Sequence, residues 1–495
     1  MPTSHGLPSA QPDRPNILCA VLVFCAATAM PSPAQSFTTV VNFNLFHGVN
    51  SGASLVQGSD GSFYGTAELG GVGGGTVFKM SSGGKLTLLH SFGGGNGAYP
   101  VSGLVQGADG NFYGTTSQGG AHHNCTNIGL DGCGSVFRIS PAGTATTLHS
   151  FDGSDGAYLV SGLVQATDGN FYGTTFEGGN LGCASPHGCG TVFKITPGGT
   201  LTTLLSFGGS DGAFPEAGLV QGADGNLYGT TGGGGATGFG TVFRITFAGT
   251  LTTLYNFCSQ PNCMDGWGPT AALVQAADGN FYGTTAAGGI YNDCFDLTGA
   301  CGTVFRITPA GRLTTLHSFD NSDGANPNGL VQATDGNFYG TTLDGGDSTC
   351  NSLYGCGTVF EITPNGTLTT LHVFAGPDGA FPDGELVQAT NGKFYGTTHG
   401  GGDPACEFGS GCGTAFRLST GLAPFVQLQP TFRPGGLVRH HRRLGSFGSN
   451  QRRFQWHAGD DPREYGFGDH HQRSRRRNHR QRASDPSRPH ADQQH

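Results

Sequence analysis

The sequence predicts an all-β protein: a seven-bladed β-propeller of four-stranded blades, closed by an N-terminal strand. Three observations predict it. A string of the type LVQxxDGNFYGTT recurs seven times, beginning at Leu55, Leu104, Leu163, Leu219, Leu273, Leu330 and Leu386. These starts lie 49 to 59 residues apart, a period that belongs to propellers, solenoids and arrays. The third observation is at the N-terminus. Phe37 to Phe43 (FTTVVNF) is the kind of string that ends every other unit, and the seventh unit lacks it.

Each unit reads as four short strands. LVQ is the first, and an Asp-Gly-Asn turn leads into the second, FYGTT. Asp-Gly between alternating runs is a strong hairpin signal. A Gly-rich loop of variable length follows. The third strand, GTVFRIT, alternates apolar and polar residues, and a Pro-Ala-Gly or Pro-Gly-Gly turn leads to the fourth, TLTTLHSF. Nothing in the repeats has helical periodicity. Four antiparallel strands per unit make a propeller blade. The seventh unit runs through its third strand, Gly413 to Ser419, and then gives way to Thr420-Gly-Leu-Ala-Pro-Phe-Val. The N-terminal string supplies the missing fourth strand, and such closure leaves no open edge. An open solenoid would instead orphan one strand at each end.

Composition agrees with this architecture. Of 495 residues 90 are Gly, 36 % are hydrophobic and only 12 % are charged. That is too Gly-rich for an ordinary helical enzyme, and the strict G-X-Y period of collagen is missing.

Residues 1–34 read as a cleaved export signal. Arg14 precedes the apolar run Asn16 to Met30, and Ser32-Pro33-Ala34 offers small residues at a cleavage site. The run is short for a membrane span. Neither Cys19 nor Cys25 follows the small residues that a lipid anchor requires. The mature chain is therefore expected outside the cell or on its surface, without a membrane span, as a monomer.

The cysteines fit export. Two of the 14 lie in the signal, and the rest form six close pairs: Cys125/Cys133, Cys183/Cys189, Cys258/Cys263, Cys294/Cys301, Cys350/Cys356 and Cys406/Cys412. Local pairs on an exported chain point to disulfides. Zinc favours tighter spacing and four converging ligands, and no His keeps a fixed offset from these pairs. Loops this small add about 2 kcal/mol each, so they staple surface loops and do not hold the fold.

The DGNFYGTT…GTVFRIT pattern, running from Phe37 to about Phe425, resembles the GloVer-type tandem repeats of exported bacterial proteins. The resemblance implies a surface-associated protein and no particular mechanism. FRITPAG from Phe305 and FKITPGG from Phe193 give a weaker likeness to streptogramin-lyase-like propellers, which points to fold more than to activity.

Composition changes at the C-terminus, where residues 426–495 read as a linker and a disordered tail. Arg433 to His495 carries 14 of the 20 Arg and a net charge of +8, against −17 for Phe37 to Phe425. Two readings stand. A basic tail could bind nucleic acid or anionic surfaces, although nucleic acid is not the expected partner of the protein. Alternatively the tail is out of frame. The codons of Phe454-Gln-Trp-His-Ala-Gly-Asp-Asp461, read one nucleotide later, permit Phe-Asn-Gly-Thr-Pro-Ala-Thr, which resembles a TIG/IPT immunoglobulin-like domain.

Few residues stand out chemically. His90, His149, His317 and His372 share one place in the fourth strand that Leu205 and Tyr255 fill elsewhere, and read as structural. His399 is singular and is a candidate for facing the channel. Asp60, Asp109, Asp168, Asp224, Asp278 and Asp335 cap hairpin turns, with Asn391 in the seventh. Asp152, Asp155, Asp320 and Asp323 lie in Gly loops that could hold calcium, though turn-making suits them better, and no other cofactor is expected. Of each Phe-Tyr pair one ring is expected to pack between blades. The other, taken as Tyr113, Tyr172, Tyr282, Tyr339 or Tyr395, could stack on a ligand. No catalytic set is evident. Variable loops on a rigid scaffold favour binding of a glycan or a protein. A lyase or hydrolase centred on the channel, and a plain spacer module, are the alternatives.

Overall fold

A computed structural model describes residues 35–426, apart from 123–124, 126–131, 185–186, 292–300, 348–349, 351–353 and 407–410. The expected signal, the tail from residue 427, His123 and Cys294 lie outside the described residues. Within that span seven four-stranded antiparallel sheets follow one another as the blades of a β-propeller. Blade one is built from Val56–Gln57, Phe63–Ala67, Thr76–Met80 and Leu86–Ser91. The next five repeat this order. Blade seven takes its fourth strand from the N-terminus: Ser36–Asn42 pairs with Thr414–Ser419, Phe37 opposite Leu418.

The borrowed strand behaves like its counterparts. Every fourth strand bulges against the third, for instance between Val77 and Phe78 or between Val192 and Phe193. The N-terminal strand bulges at the corresponding step, between Thr39 and Val41. Such bulges increase local twist.

Apolar residues pack between blades. Phe63, Phe78, Val77, Tyr64 and their counterparts are almost wholly buried. Two sets of ring contacts run round the propeller. In the first, a second-strand Tyr meets the Phe of the next blade, as in Tyr113–Phe171 at 3.9 Å and Tyr282–Phe338 at 4.1 Å. Tyr395 against Phe63, at 4.2 Å, closes this set from blade seven to blade one. In the second, the Phe that follows each fourth strand meets the third-strand Phe of the next blade edge-on, as in Phe151–Phe193 at 5.3 Å. Aromatic pairs in these geometries add about 0.5–1.5 kcal/mol beyond area burial.

One blade departs from the pattern and compensates. Blade four has Leu227 where the others have Phe, so Tyr172 loses its usual partner. Phe247, in a turn where most blades have Pro, stacks on Tyr172 instead at 5.0 Å.

The Gln of each LVQ string also has a task that the sequence did not declare. Its Oε1 accepts the backbone N–H of a residue in the preceding blade's hairpin turn, as in Ala108 N to Gln165 at 2.9 Å. In six blades its Nε2 donates to a Gly carbonyl in its own turn, as in Gln165 to Gly169 at 3.0 Å. Thr390 N to Gln57, at 2.8 Å, completes the circuit.

Candidate functional site

The Tyr candidates are not available to a ligand. Tyr113, Tyr172, Tyr282, Tyr339 and Tyr395 are each at most 2 % exposed. Each ring lies against a Phe of the neighbouring blade. Both members of a Phe-Tyr pair are buried because strand faces in a propeller both meet a blade. The Tyr hydroxyls also face inward: Tyr172 donates to the turn Asp168 at 2.8 Å and Tyr113 to Asp109 at 2.9 Å, while Tyr395 accepts from Asn391 Nδ2 at 3.1 Å. Burial, reinforced by that carboxylate, pushes the Tyr113 hydroxyl up to about 12. Burial works to raise Asp168 as well, but hydrogen bonds from Asn170, Tyr172 and Lys194 outweigh it and leave the carboxyl below its ordinary value.

The loop carboxylates are engaged in the turns themselves. Asp155 accepts His149 Nε2 at 2.7 Å and the Asp152 N–H at 3.0 Å. Asp152 accepts the N–H and hydroxyl of Ser154. Asp320 and Asp323 repeat the arrangement with Ser322 and His317. His372 pairs with Asp378 in the same way at 2.8 Å. Among the described residues no group of three or more His, Cys, Asp or Glu is placed to hold a metal ion. Five of the cysteine pairs are disulfides: Cys125–Cys133, Cys183–Cys189, Cys258–Cys263, Cys350–Cys356 and Cys406–Cys412. Cys301 is also disulfide-bonded.

The cavity with unique chemistry is the channel, of about 750 Å³. It is lined by the residues just before each LVQ string. Gly52, Val101, Val160 and Thr270 occupy one repeated position there, three before the Leu. Blades four and seven place Glu216 and Asp383 at that position. The residue directly before the Leu is Ser, Gly or Ala in six blades and Glu385 in the seventh. Three carboxyls thus interrupt rings of small or uncharged residues.

Glycines make room for them. A Cβ on Gly52 would come within 2.9 Å of Asp383 Cβ, and one on Gly232 within 3.0 Å of the Glu216 carboxyl. A Cβ on Gly329 would collide with the Glu385 carboxyl. Glu216 and Glu385 are half-buried and Asp383 is exposed to the channel, yet the protein crowded round each carboxyl raises it. Glu216 and Glu385 are both pushed up to about 7, the latter against a hydrogen bond from the Ala272 backbone. Enclosure raises Asp383 too, His399 opposes the shift and Glu68 adds to it.

His399 stands at the channel rim, within electrostatic reach of Asp383. Its place in the repeat, just after the second strand, is that of Ala286 and Leu343, which line the cavity. Glu68 holds that place in blade one, the neighbour of blade seven. The rim is pinned by residues with left-handed backbone: Asn50, Tyr99, Tyr158, Phe214, Asn326 and Phe381 have φ between 54° and 57°. Non-Gly residues resist this conformation by about 1 kcal/mol or more. Tyr99, Tyr158, Phe214, Asn326 and Phe381 each bridge two blades. Phe381 N–H donates to Cys356 O at 3.0 Å, and its carbonyl accepts the His399 N–H at 2.9 Å.

The sequence singles out His399, which the structure places within electrostatic reach of Asp383, and passes over Glu68, Glu216, Asp383 and Glu385. The signal was there: Glu68 and Glu385 are the single acids at their repeated positions, and Glu216 and Asp383 are the two acids at theirs.

Fold and site together define a seven-bladed propeller with a uniform scaffold, a divergent loop face and an asymmetric acidic channel. The chain belongs to the family described as the Gloeobacter/Verrucomicrobia repeat, matched over residues 28–179, 125–299 and 295–432. No curated protein matches it in sequence. Among solved structures it is similar to virginiamycin B lyase from Staphylococcus aureus, with a TM-score of 0.50 and 14 % identity, over 78 % of this chain and 99 % of that one. It is also similar to a fungal alcohol oxidase of the AA5 family in complex with copper, with a TM-score of 0.48 and 12 % identity, over 79 % and 76 %. A third likeness is to a gluconolactonase from Xanthomonas campestris, with a TM-score of 0.37 and 14 % identity, over 64 % and 89 %. At these identities the likeness concerns fold alone.

Proposed function

We propose that the protein is an exported binding module that takes a glycan or protein ligand at the cell surface. One observation carries this reading. The blades are nearly uniform in their packed strands, while loop length, disulfides and unique side chains all vary at one face. Export is supported by the disulfides, which persist in oxidising compartments. No helix among the described residues is long and apolar enough to cross a membrane.

The test is a glycan array and a surface-protein capture screen with the oxidised chain, each run with and without calcium. Specific retention of one ligand class supports the module. Loss of retention without calcium would assign the Asp155 and Asp323 loops a metal, at the expense of their His partners. Retention of nothing by the well-folded chain would overturn the reading in favour of a spacer.

A second reading has an observation of its own. His399, Asp383 and Glu68 come together at the channel rim, a set able to move protons in a lyase or hydrolase. If this reading holds, turnover of a substrate found by activity screening would fall at least a hundredfold in His399→Ala.

A further inference from the structure

The two faces of the propeller differ in charge and in exposed apolar surface. The segments joining second to third strands and fourth to first strands all emerge at one face. Backbone bridges tie them together there, as in Ala98 with Gln118 and Ala157 with Glu177. The hairpin turns and the Pro-Gly turns emerge at the other. Residues 35–426 contain nine Lys and Arg, and every one belongs to the turn side. Six occupy the turn-side end of a third strand: Lys79, Arg138, Lys194, Arg244, Arg306 and Arg417. Of these, Lys79 and Lys194 reach the turn Asp at 2.7 and 3.0 Å. Among the described residues the loop segments contain no Lys or Arg and hold fifteen of the twenty-two Asp and Glu.

Apolar exposure follows the same division. Among the described residues eleven large hydrophobic side chains are exposed, and nine of them stand on loop segments. Phe46 (65 %), Val72 (74 %), Leu181 (54 %), Ile290 (59 %) and Tyr354 (44 %) come from five different loops. They stand on the same face as the segments that carry the channel carboxyls Glu216, Asp383 and Glu385.

We propose that the loop face docks a cationic polypeptide segment with apolar residues among its Lys and Arg, its basic side chains reaching the channel carboxyls. The proposal rests on the binding-module reading and narrows it to one ligand class. Charge complementarity selects the occupant: a face whose described residues include no Lys or Arg, and which has a concentrated negative potential, repels anionic glycans and acidic proteins. Exposed aromatic and aliphatic side chains ringing that potential favour a peptide over a simple polyamine.

The experiment uses the oxidised full chain and three labelled dodecapeptides, followed by fluorescence anisotropy. One peptide alternates Lys with Leu and Phe, the second has Glu in place of Lys, and the third has Ser in place of Leu and Phe. The first is expected to bind, to lose about tenfold in affinity between 50 and 300 mM salt, and to outbind the third. Glu216→Gln, Asp383→Asn and Glu385→Gln combined should weaken it about tenfold with the near-UV dichroism unchanged. The turn-side Glu361→Gln should leave it unaltered. Equal binding of the Glu peptide, or undiminished binding by the triple variant, would overturn the proposal. Capture of a neutral glycan without any cationic peptide would overturn it and leave the binding module standing. Failure of every ligand would remove both.

Discussion

Phe43 packs against Phe78 with ring centroids 5.1 Å apart, so a residue that precedes every repeat lies in the core of the first blade. The contact stands where Phe92–Phe137 and Phe151–Phe193 stand elsewhere. Phe43 belongs to blade seven by pairing and to the interface with blade one by packing. It is therefore the clasp of the ring. Phe43→Ala should cost about 3–5 kcal/mol, the usual loss for a buried Phe. Chemical denaturation measures it. A loss no larger than that of a surface substitution would show that the ring holds without its clasp.

Blade four offers a test of packing by compensation. Phe247→Pro restores the common turn residue but strips Tyr172 of its stacking partner, and should cost roughly 1 kcal/mol. Adding Leu227→Phe restores the partner seen in other blades and should recover the loss. A double variant no more stable than the single one would mean that Phe247 does something besides stacking.

Reduction of the disulfides should spare the ring. Each of those described closes a loop of five to eight residues. Each is worth about 2 kcal/mol by chain entropy, and none joins two blades. Reduced protein should keep its far-ultraviolet dichroism while its loop face becomes sensitive to protease. Collapse of the dichroism on reduction would contradict this.

The channel carboxyls give stability a pH dependence. Glu385 is raised in the folded chain from an ordinary 4.5 to about 7. A raised group favours the folded state fully below its unfolded value, and the benefit is lost as pH rises through the folded value. The window is thus about pH 4.5 to 7. Glu385→Gln removes the buried charge and should raise the Tm at pH 8 by roughly 1–3 °C, with little change at pH 4.5. A gain of the same size at both pH values would point to packing instead of ionisation.

Much of the fold was legible because the sequence states it seven times. The strand order, the closing role of FTTVVNF and the local disulfides all follow from repetition and from one broken repeat. The turn Asp residues were legible too, since Asp168 and its counterparts do cap turns, although the Tyr hydroxyl that each accepts was not foreseen. The site was harder for the opposite reason. Attention falls on what recurs, and the Tyr series drew it although recurrence there signals packing between blades. Glu216 and Asp383 at one repeated position, and Glu385 at another, are departures where small or uncharged residues otherwise stand. Without the ring, nothing indicates that positions more than 160 residues apart line one channel. Charge segregation was hidden similarly, because the net charge of the repeats does not say at which end of a strand each residue lies.

The borrowed strand carries a consequence for biogenesis. Ser36–Asn42 is made before any blade and finds its partner, Thr414–Ser419, only when the last blade is complete. Until then the first strand has an unsatisfied edge, and both blade seven and blade one lack a neighbour. A contact so distant in sequence forms slowly and late. Chains cut short in synthesis or clipped during secretion can never make it. The architecture thus reports on its own completeness: a whole chain becomes a sealed ring, and a truncated one keeps exposed edges that proteases and chaperones recognise.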